Sequence, residues 1–186
     1  ADYVALNVSS PNTPGLRALQ SRAALEELLR AVTRARDEAP RRVPLLVKIA
    51  PDLDEAEIDR VLEALSTVPV DGLIATNTTT DRSGLPESAR ALPGGTSGAP
   101  LTVRANAMLR LLARRTRGEL PLVGVGGILT PEDAVERLRA GAHLIQLYTG
   151  LIYAGPFLAR AILKELVRTC EREGLSSVSE LRATAR

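Results

Sequence analysis

The chain has 186 residues, 45% hydrophobic and 25% charged, the makeup of one soluble globular domain, and falls short of the ~250 residues usual for a closed eight-stranded α/β barrel. A net charge of +2, basic residues scattered over helical stretches such as Arg34, Arg36, Arg114 and Arg139, and only 2% aromatics argue against a nucleic-acid surface. A single cysteine excludes a disulfide framework, and no apolar run approaches the ~20 residues of a membrane span.

Tyr3 to Val8 is an apolar run that ends in a polar crowd, Asn7-Val8-Ser9-Ser10-Pro11-Asn12-Thr13. Val43 to Ile49 carries Lys48 near its end, and Gly72 to Thr76 leads into Asn77 and Thr78. Leu122 to Val125 runs into Gly126 and Gly127, and Leu144 to Tyr148 into Thr149 and Gly150. Such short apolar runs, rich in β-branched residues and closed by polar or glycine-rich ends, are predicted to be buried parallel strands.

Between the runs lie segments with helical spacing. Ile58, Val61, Leu62 and Leu65 share one face, with Asp54 as N-cap and Glu57 three residues on. Thr130-Pro131-Glu132-Asp133 is a second helix start, with a capping Thr, Pro at the first helical position and acids at the positive dipole end. A last helix is predicted from Pro156 to Glu173, stopping at Gly174. Its face Leu158, Ile162, Leu166, Cys170 makes the thiol a small buried group.

The expected division is one barrel domain over residues 1–175 and a polar tail over 176–186 with little to bury. The widest irregular stretch, Thr79 to Pro100, is rich in Gly, Pro and Ser, and loops of that length are usually functional or disordered. Starting at Ala1 without Met or a charged and apolar leader, the chain reads as cut or processed rather than targeted.

Five βα units leave two architectures, an open doubly wound sheet or part of a barrel. In barrels the loops after the last two strands commonly bind phosphate through backbone amides. The glycine-bearing ends of the fourth and fifth runs suit that pattern, which makes Tyr3 to Val8 the fourth strand and leaves three preceding units missing. Gly124-Val125-Gly126-Gly127 is not a dinucleotide fingerprint, because position 129 is Leu where GxGxxG needs Gly. In a barrel the polar strand ends converge on one mouth, where amides and hydroxyls suit a planar ligand with several donors and acceptors. Each residue alone has a plainer reading: Asn and Ser before Pro make turns, and a Lys near a strand end reaches solvent.

These motifs carry a family resemblance. Asn7 to Thr13, Val47 to Asp52, Ala75 to Thr79, Gly94 to Gly98, Gly124 to Ile128 and Gln146 to Gly150 resemble, in order, the motifs of class 2, quinone-dependent dihydroorotate dehydrogenases. The resemblance implies a (β/α)8 TIM-type barrel, of which this chain holds about the last five βα units. It also implies an FMN enzyme of de novo pyrimidine biosynthesis that oxidises dihydroorotate to orotate and passes the electrons to a membrane quinone.

By the same resemblance Ser10 matches the catalytic base, and Asn7, Asn12, Asn77 and Thr78 match residues that hydrogen-bond the pyrimidine. Lys48 matches the lysine beside the flavin pyrimidine edge, and Asn7 also lies near the flavin. Thr76, Ser97, Gly98, Gly127, Tyr148 and Thr149 match flavin contacts, with Gly126 and Gly127 letting backbone amides approach the phosphate. His143, the single histidine, matches no family site and reads as structural, and without a Cys or His cluster no metal site is expected.

Thr96 departs from the apolar residue usual before the Ser-Gly pair. The larger departure is the absence of the family's membrane-associated quinone segment and first three strands. The implied location, peripheral on the cytoplasmic side of a bacterial membrane, therefore comes from the resemblance alone. The missing barrel half, or self-association, is expected to cover the open strand edges. Two alternatives stay open: a non-catalytic FMN- or phosphate-binding half-barrel module, and another FMN barrel acting on a related pyrimidine.

Overall fold

A computed structural model describes residues 1–185. The strands β1 (Val4–Asn7), β2 (Leu45–Ile49), β3 (Gly72–Ala75), β4 (Leu122–Val125) and β5 (Leu144–Gln146) form one parallel sheet in the order β1-β2-β3-β4-β5. A doubly wound sheet reverses its strand order part way along. This one does not, so it is an arc of consecutive barrel strands. Helices α1 (Arg22–Asp37), α2 (Glu55–Thr67), the short α3 (Glu87–Arg90), α4 (Thr102–Arg115) and α5 (Pro131–Arg139) fill the crossovers. After β5 come α6 (Thr149–Ala154) and α7 (Leu158–Glu173).

The period-two alternation of side chains explains why the runs are apolar on both faces. Leu45, Val47 and Ile49 of β2, Leu73 and Ala75 of β3 and Leu122 of β4 face the helices, where they pack with residues such as Leu25, Val61, Leu109 and Leu138. Leu46, Ile74 and Val123 face the other way and form a small cluster on the inner surface of the arc. Each fully buried Leu or Ile contributes about 1.5–3 kcal/mol relative to exposure.

Both edges of the arc are open. Val4 is 48% exposed and Leu144 60%, yet the Gln146 amide donates to the Tyr3 hydroxyl at 2.8 Å, linking the first and last strands across the inner face. The outer surface of α6 and α7 also leaves Ile152, Tyr153, Phe157, Leu163 and Val167 exposed. Apolar groups exposed in such number mark a surface meant to meet another element.

Both predicted helix starts form as capping boxes. The Asp54 carboxylate accepts from the Glu57 N–H at 2.7 Å while Glu57 accepts from the Asp54 N–H at 2.9 Å. Thr130 and Asp133 repeat the arrangement at 3.2 and 2.9 Å. Gly174 ends α7 with φ 67°, the left-handed conformation that glycine takes without a Cβ penalty. His143 ties the starts of β4 and β5 together, its N–H donating to the Leu122 carbonyl at 2.7 Å and its Nδ1 accepting from the Leu122 N–H at 3.2 Å. Burial, and then repulsion from Arg182, pushes its pKa down.

Several expectations need correction. Several strands are shorter than their apolar runs: Tyr3 and Val8 lie outside β1, Val43 and Pro44 outside β2, Thr76 outside β3, and Leu147 and Tyr148 outside β5. On α7 the inward place falls to Thr169, fully buried, while Cys170 is only partly buried. The segment after Gly174 is not a bare polar tail, since Val178–Ala185 forms a 3-10 turn and Leu181 is fully buried in the main core. Among the described residues no helix is long and apolar enough to cross a membrane.

Candidate functional site

Because all five strands run parallel, their polar C-terminal ends meet at one end of the arc. β1 pairs with β2 so that Asn7 lies beside Lys48. The Asn7 Oδ1 accepts from the Ser9 hydroxyl at 2.9 Å and from the Asn77 amide at 3.1 Å, and that amide also donates to the Ser9 Oγ at 3.0 Å. Asn77 Oδ1 accepts from the Thr78 N–H at 2.8 Å. These bonds fix the orientation of both asparagines and leave the Asn7 amine without a partner among the described residues, able to donate to a ligand.

Ser9 is fully buried, whereas Ser10 is half-buried and leads into a turn that is exposed from Asn12 onward. The Ser10 hydroxyl accepts from the Asn12 N–H at 3.2 Å, and among the described residues no carboxylate or imidazole bonds it. Asn12 is exposed on the same turn.

Lys48 is partly buried and has no ion-pair partner among the described residues, and burial lowers its pKa. An unpaired ammonium in that setting is poised for an anionic or electron-rich group. Thr76 follows β3, is buried, and donates its hydroxyl to the Asn77 carbonyl at 2.9 Å.

The long loop after β3 is held rather than loose. Thr79 and Thr96 exchange backbone hydrogen bonds at 3.1 and 2.8 Å as an antiparallel bridge. Gly95 lies so close to Thr78 and Pro11 that a Cβ there would overlap both. Ser97 and Gly98 are thereby brought to the start of α6, where the Thr149 hydroxyl donates to the Ser97 Oγ at 3.0 Å.

At the end of β4, Gly126 and Gly127 have φ of 100° and 69°. A Cβ on Gly127 would overlap the Thr102 backbone and hydroxyl, which donates to the Gly127 carbonyl at 2.7 Å. The glycine turn is supported from behind by Arg137, fully buried, whose guanidinium donates to the Val125 carbonyl at 3.3 Å and the Gly126 carbonyl at 2.6 Å. Burial pushes the Arg137 pKa down to about 10, with Asp133 opposing.

These ends enclose an open cleft of about 210 Å3. Lys48, Thr76, Asn77 and Thr78, Ser97 and Gly98, and Gly126, Gly127, Tyr148 and Thr149 all line it. Asn7 joins through Asn77. Ser10 and Asn12 stand on their turn and do not line the cleft. Chemically the cleft offers amide and hydroxyl donors, one cation and a backbone cradle without side chains, which suits a planar ligand carrying a phosphate.

Sequence reasoning missed Ser9, Arg17 and Arg137. Arg17 bonds Asp52 at 2.8 Å across 35 residues of sequence, and no local pattern signals a contact of that range. Arg137 reads on sequence as one more helical surface cation, and only the glycine at position 124, where a Cβ would meet its side chain at 2.6 Å, hints that space is reserved for it.

The family model for dihydroorotate dehydrogenase matches residues 1–169. The dihydroorotate dehydrogenase (quinone) of Thermobifida fusca (strain YX) is 54% identical over 185 residues, covering 97% of this chain and 49% of the relative. That of Nocardia farcinica (strain IFM 10152) is 50% identical over 184 residues, covering 97% and 50%. The crystal structure of ligand-free type DHODH from Eimeria tenella superimposes with a TM-score of 0.93 at 34% identity, covering 99% of this chain and 55% of that one. The same organism's DHODH in complex with ferulenol gives 0.85 at 36% identity, covering 97% and 53%. The chain spans about half the length of the curated relatives it matches. The five-stranded arc is thus part of a (β/α)8 barrel, and the chain belongs to the dihydroorotate dehydrogenase family.

Proposed function

We propose that the chain is the carboxy-terminal part of a quinone-type dihydroorotate dehydrogenase, which oxidises dihydroorotate to orotate in pyrimidine biosynthesis. The observation that carries this reading is the cleft itself. An unpaired Lys48 ammonium and a glycine turn free of Cβ atoms lie in it together, bordered by the bonded pair Asn7 and Asn77.

These residues fit FMN. Gly126 and Gly127, both with positive φ and the second with no room for a side chain, would hold the phosphate through backbone amides, and Lys48 would hold the electron-rich edge of the ring. Thr76, Ser97, Gly98, Tyr148 and Thr149 would supply the remaining contacts. When bound, the cofactor takes up the hydride that the substrate ring releases.

The chain's own residues do the rest. Asn7, Asn12, Asn77 and Thr78 bind and orient the pyrimidine through its amide edges, and the mutual bonds of Asn7 and Asn77 set their donors in advance. The Ser10 Oγ takes the proton from the ring carbon next to the one that loses hydride as its own hydroxyl proton passes on to water, since no carboxylate or imidazole bonds it among the described residues. On the family resemblance, the electrons pass to a membrane quinone through a segment outside this sequence, and the whole enzyme is assigned a peripheral position on the cytoplasmic side of a bacterial membrane. The open β1 and β5 edges and the exposed apolar surface of α6 and α7 support a chain that works within a larger barrel.

Ser10→Ala in the complete enzyme tests the assignment. The variant is expected to keep its flavin yet to be reduced by dihydroorotate at least ~100-fold more slowly. Undiminished reduction in a stopped-flow experiment removes Ser10 from the base role.

A further inference from the structure

Ser10 is held by a loop whose two ends meet at one side chain. Arg17, eight residues beyond Ser9, sends its Nε to the Ser9 carbonyl at 3.1 Å. Its Nη1 reaches the Asp52 carboxylate beyond β2 at 2.8 Å, and its Nη2 the Thr78 carbonyl beyond β3 at 2.9 Å. Three nitrogens of one planar group thus hold three separate segments. The loop between, Asn12 to Gly15, is exposed and makes few bonds of its own.

The anchor is itself built. Asp52 accepts from Arg17 and from the Thr80 N–H at 3.0 Å on one oxygen, and from Arg104 at 2.8 Å and the Thr79 hydroxyl on the other. Burial opposes its charge, but the hydrogen bonds from Thr79 and Thr80 and the Arg17 guanidinium hold its carboxyl below the usual carboxylate range. Gln20, buried, completes the footing by accepting from the Ala50 N–H at 2.9 Å.

We propose that Arg17, anchored by Asp52, is a positioning residue that staples both ends of the Ser10 loop to the ends of β2 and β3. It touches neither reacting atom. It fixes the Ser9 carbonyl, and so the root of Ser10, relative to Asn7 and Asn77, which hold the buried Ser9 hydroxyl from the other side. The fork geometry is what the task requires, because a lysine ammonium is a point charge that cannot span three acceptors in three directions. The inference rests on the reading of Ser10 as base.

The test uses the complete flavoprotein with Arg17→Lys, Ser10→Ala and the double variant. Flavin reduction by dihydroorotate is followed anaerobically, orotate affinity by calorimetry, and loop exposure by limited proteolysis. Arg17→Lys is expected to slow reduction on the order of 100-fold, the scale of an ångström of misplacement, with orotate affinity within a few-fold of wild type and faster cleavage between Asn12 and Gly15. In the Ser10→Ala background the same change is expected to add little, since no base remains to be positioned.

Arg17→Lys with wild-type reduction and wild-type proteolysis overturns the staple. So does a slowing of equal size with and without Ser10, which marks a general structural role. If Ser10→Ala alone reduces normally, the base reading fails, and that outcome is separate from either. Should Arg17→Lys not fold, Asp52→Asn, which removes the charge and keeps one acceptor oxygen while turning the other into an NH2 donor, is expected to show the same pattern, and its absence also overturns the proposal.

Discussion

Gly127→Ala, set against Gly118→Ala, isolates what the close approach at the glycine turn contributes. The two glycines have nearly the same backbone, φ 69° and 72°. Either alanine therefore carries the strain of a left-handed residue, about 1–2 kcal/mol. They differ in space. Among the described residues nothing lies within 4 Å of a Cβ on Gly118, whereas one on Gly127 meets the Thr102 Cα at 2.5 Å and overlaps its nitrogen and hydroxyl. Overpacking of that kind adds about 1–3 kcal/mol, so Gly127→Ala is expected to cost about 2–5 kcal/mol against about 1–2 for Gly118→Ala. The turn can relieve the overlap only by moving away from the start of α4, which disturbs the proposed phosphate cradle. Urea unfolding and a flavin-fluorescence titration of the complete enzyme check both effects, with weakened FMN binding expected for Gly127→Ala alone. Equal stability and equal FMN affinity in the two variants would mean that the close approach of Thr102 to Gly127 has no energetic consequence.

Leu181→Ala is expected to destabilise the protein by about 2–5 kcal/mol, as for a buried leucine, and a loss below about 0.5 kcal/mol in urea unfolding contradicts the packing of the carboxy-terminal turn. For His143 the folded pKa lies below the unfolded one, so the unfolded state binds the proton first. Stability is therefore expected to decline as pH falls from about 6.5 toward the folded pKa, and His143→Gln, which keeps an acceptor for the Leu122 N–H, is expected to flatten that part of the profile. Lys48→Met removes a charge that burial disfavours, so a melt is expected to show stability unchanged or raised while flavin reduction slows; a destabilised variant with normal reduction contradicts the role given to Lys48.

The parts legible in the sequence are those written in local chemistry. Asp54 with Glu57 and Thr130 with Asp133 announced their helices because a capping box spans only three residues, and Gly174 marked the end of α7 because a left-handed cap favours glycine. Parallel strands appeared as apolar runs because both faces of β2 to β4 are covered. The ladder's ends were less legible, in the inner β2 and β3 as well as the edge strands β1 and β5, because an apolar run continues past the last ladder hydrogen bond. Leu181 gave no signal, being one apolar residue amid polar neighbours, and its burial depends on the tertiary packing of α5 and α7. Most assignments around the cleft rested on family likeness, while the Arg17 and Asp52 staple joins loops 35 and 61 residues apart and has no periodicity to betray it.

The most direct test of the account is anaerobic mixing of the complete, FMN-loaded enzyme with dihydroorotate while flavin absorbance is followed. Rapid loss of the oxidised flavin spectrum, formation of orotate in equal amount and recovery of the spectrum on adding a quinone are expected. A flavin that stays oxidised with dihydroorotate, in protein shown to be folded and loaded, contradicts the proposed function.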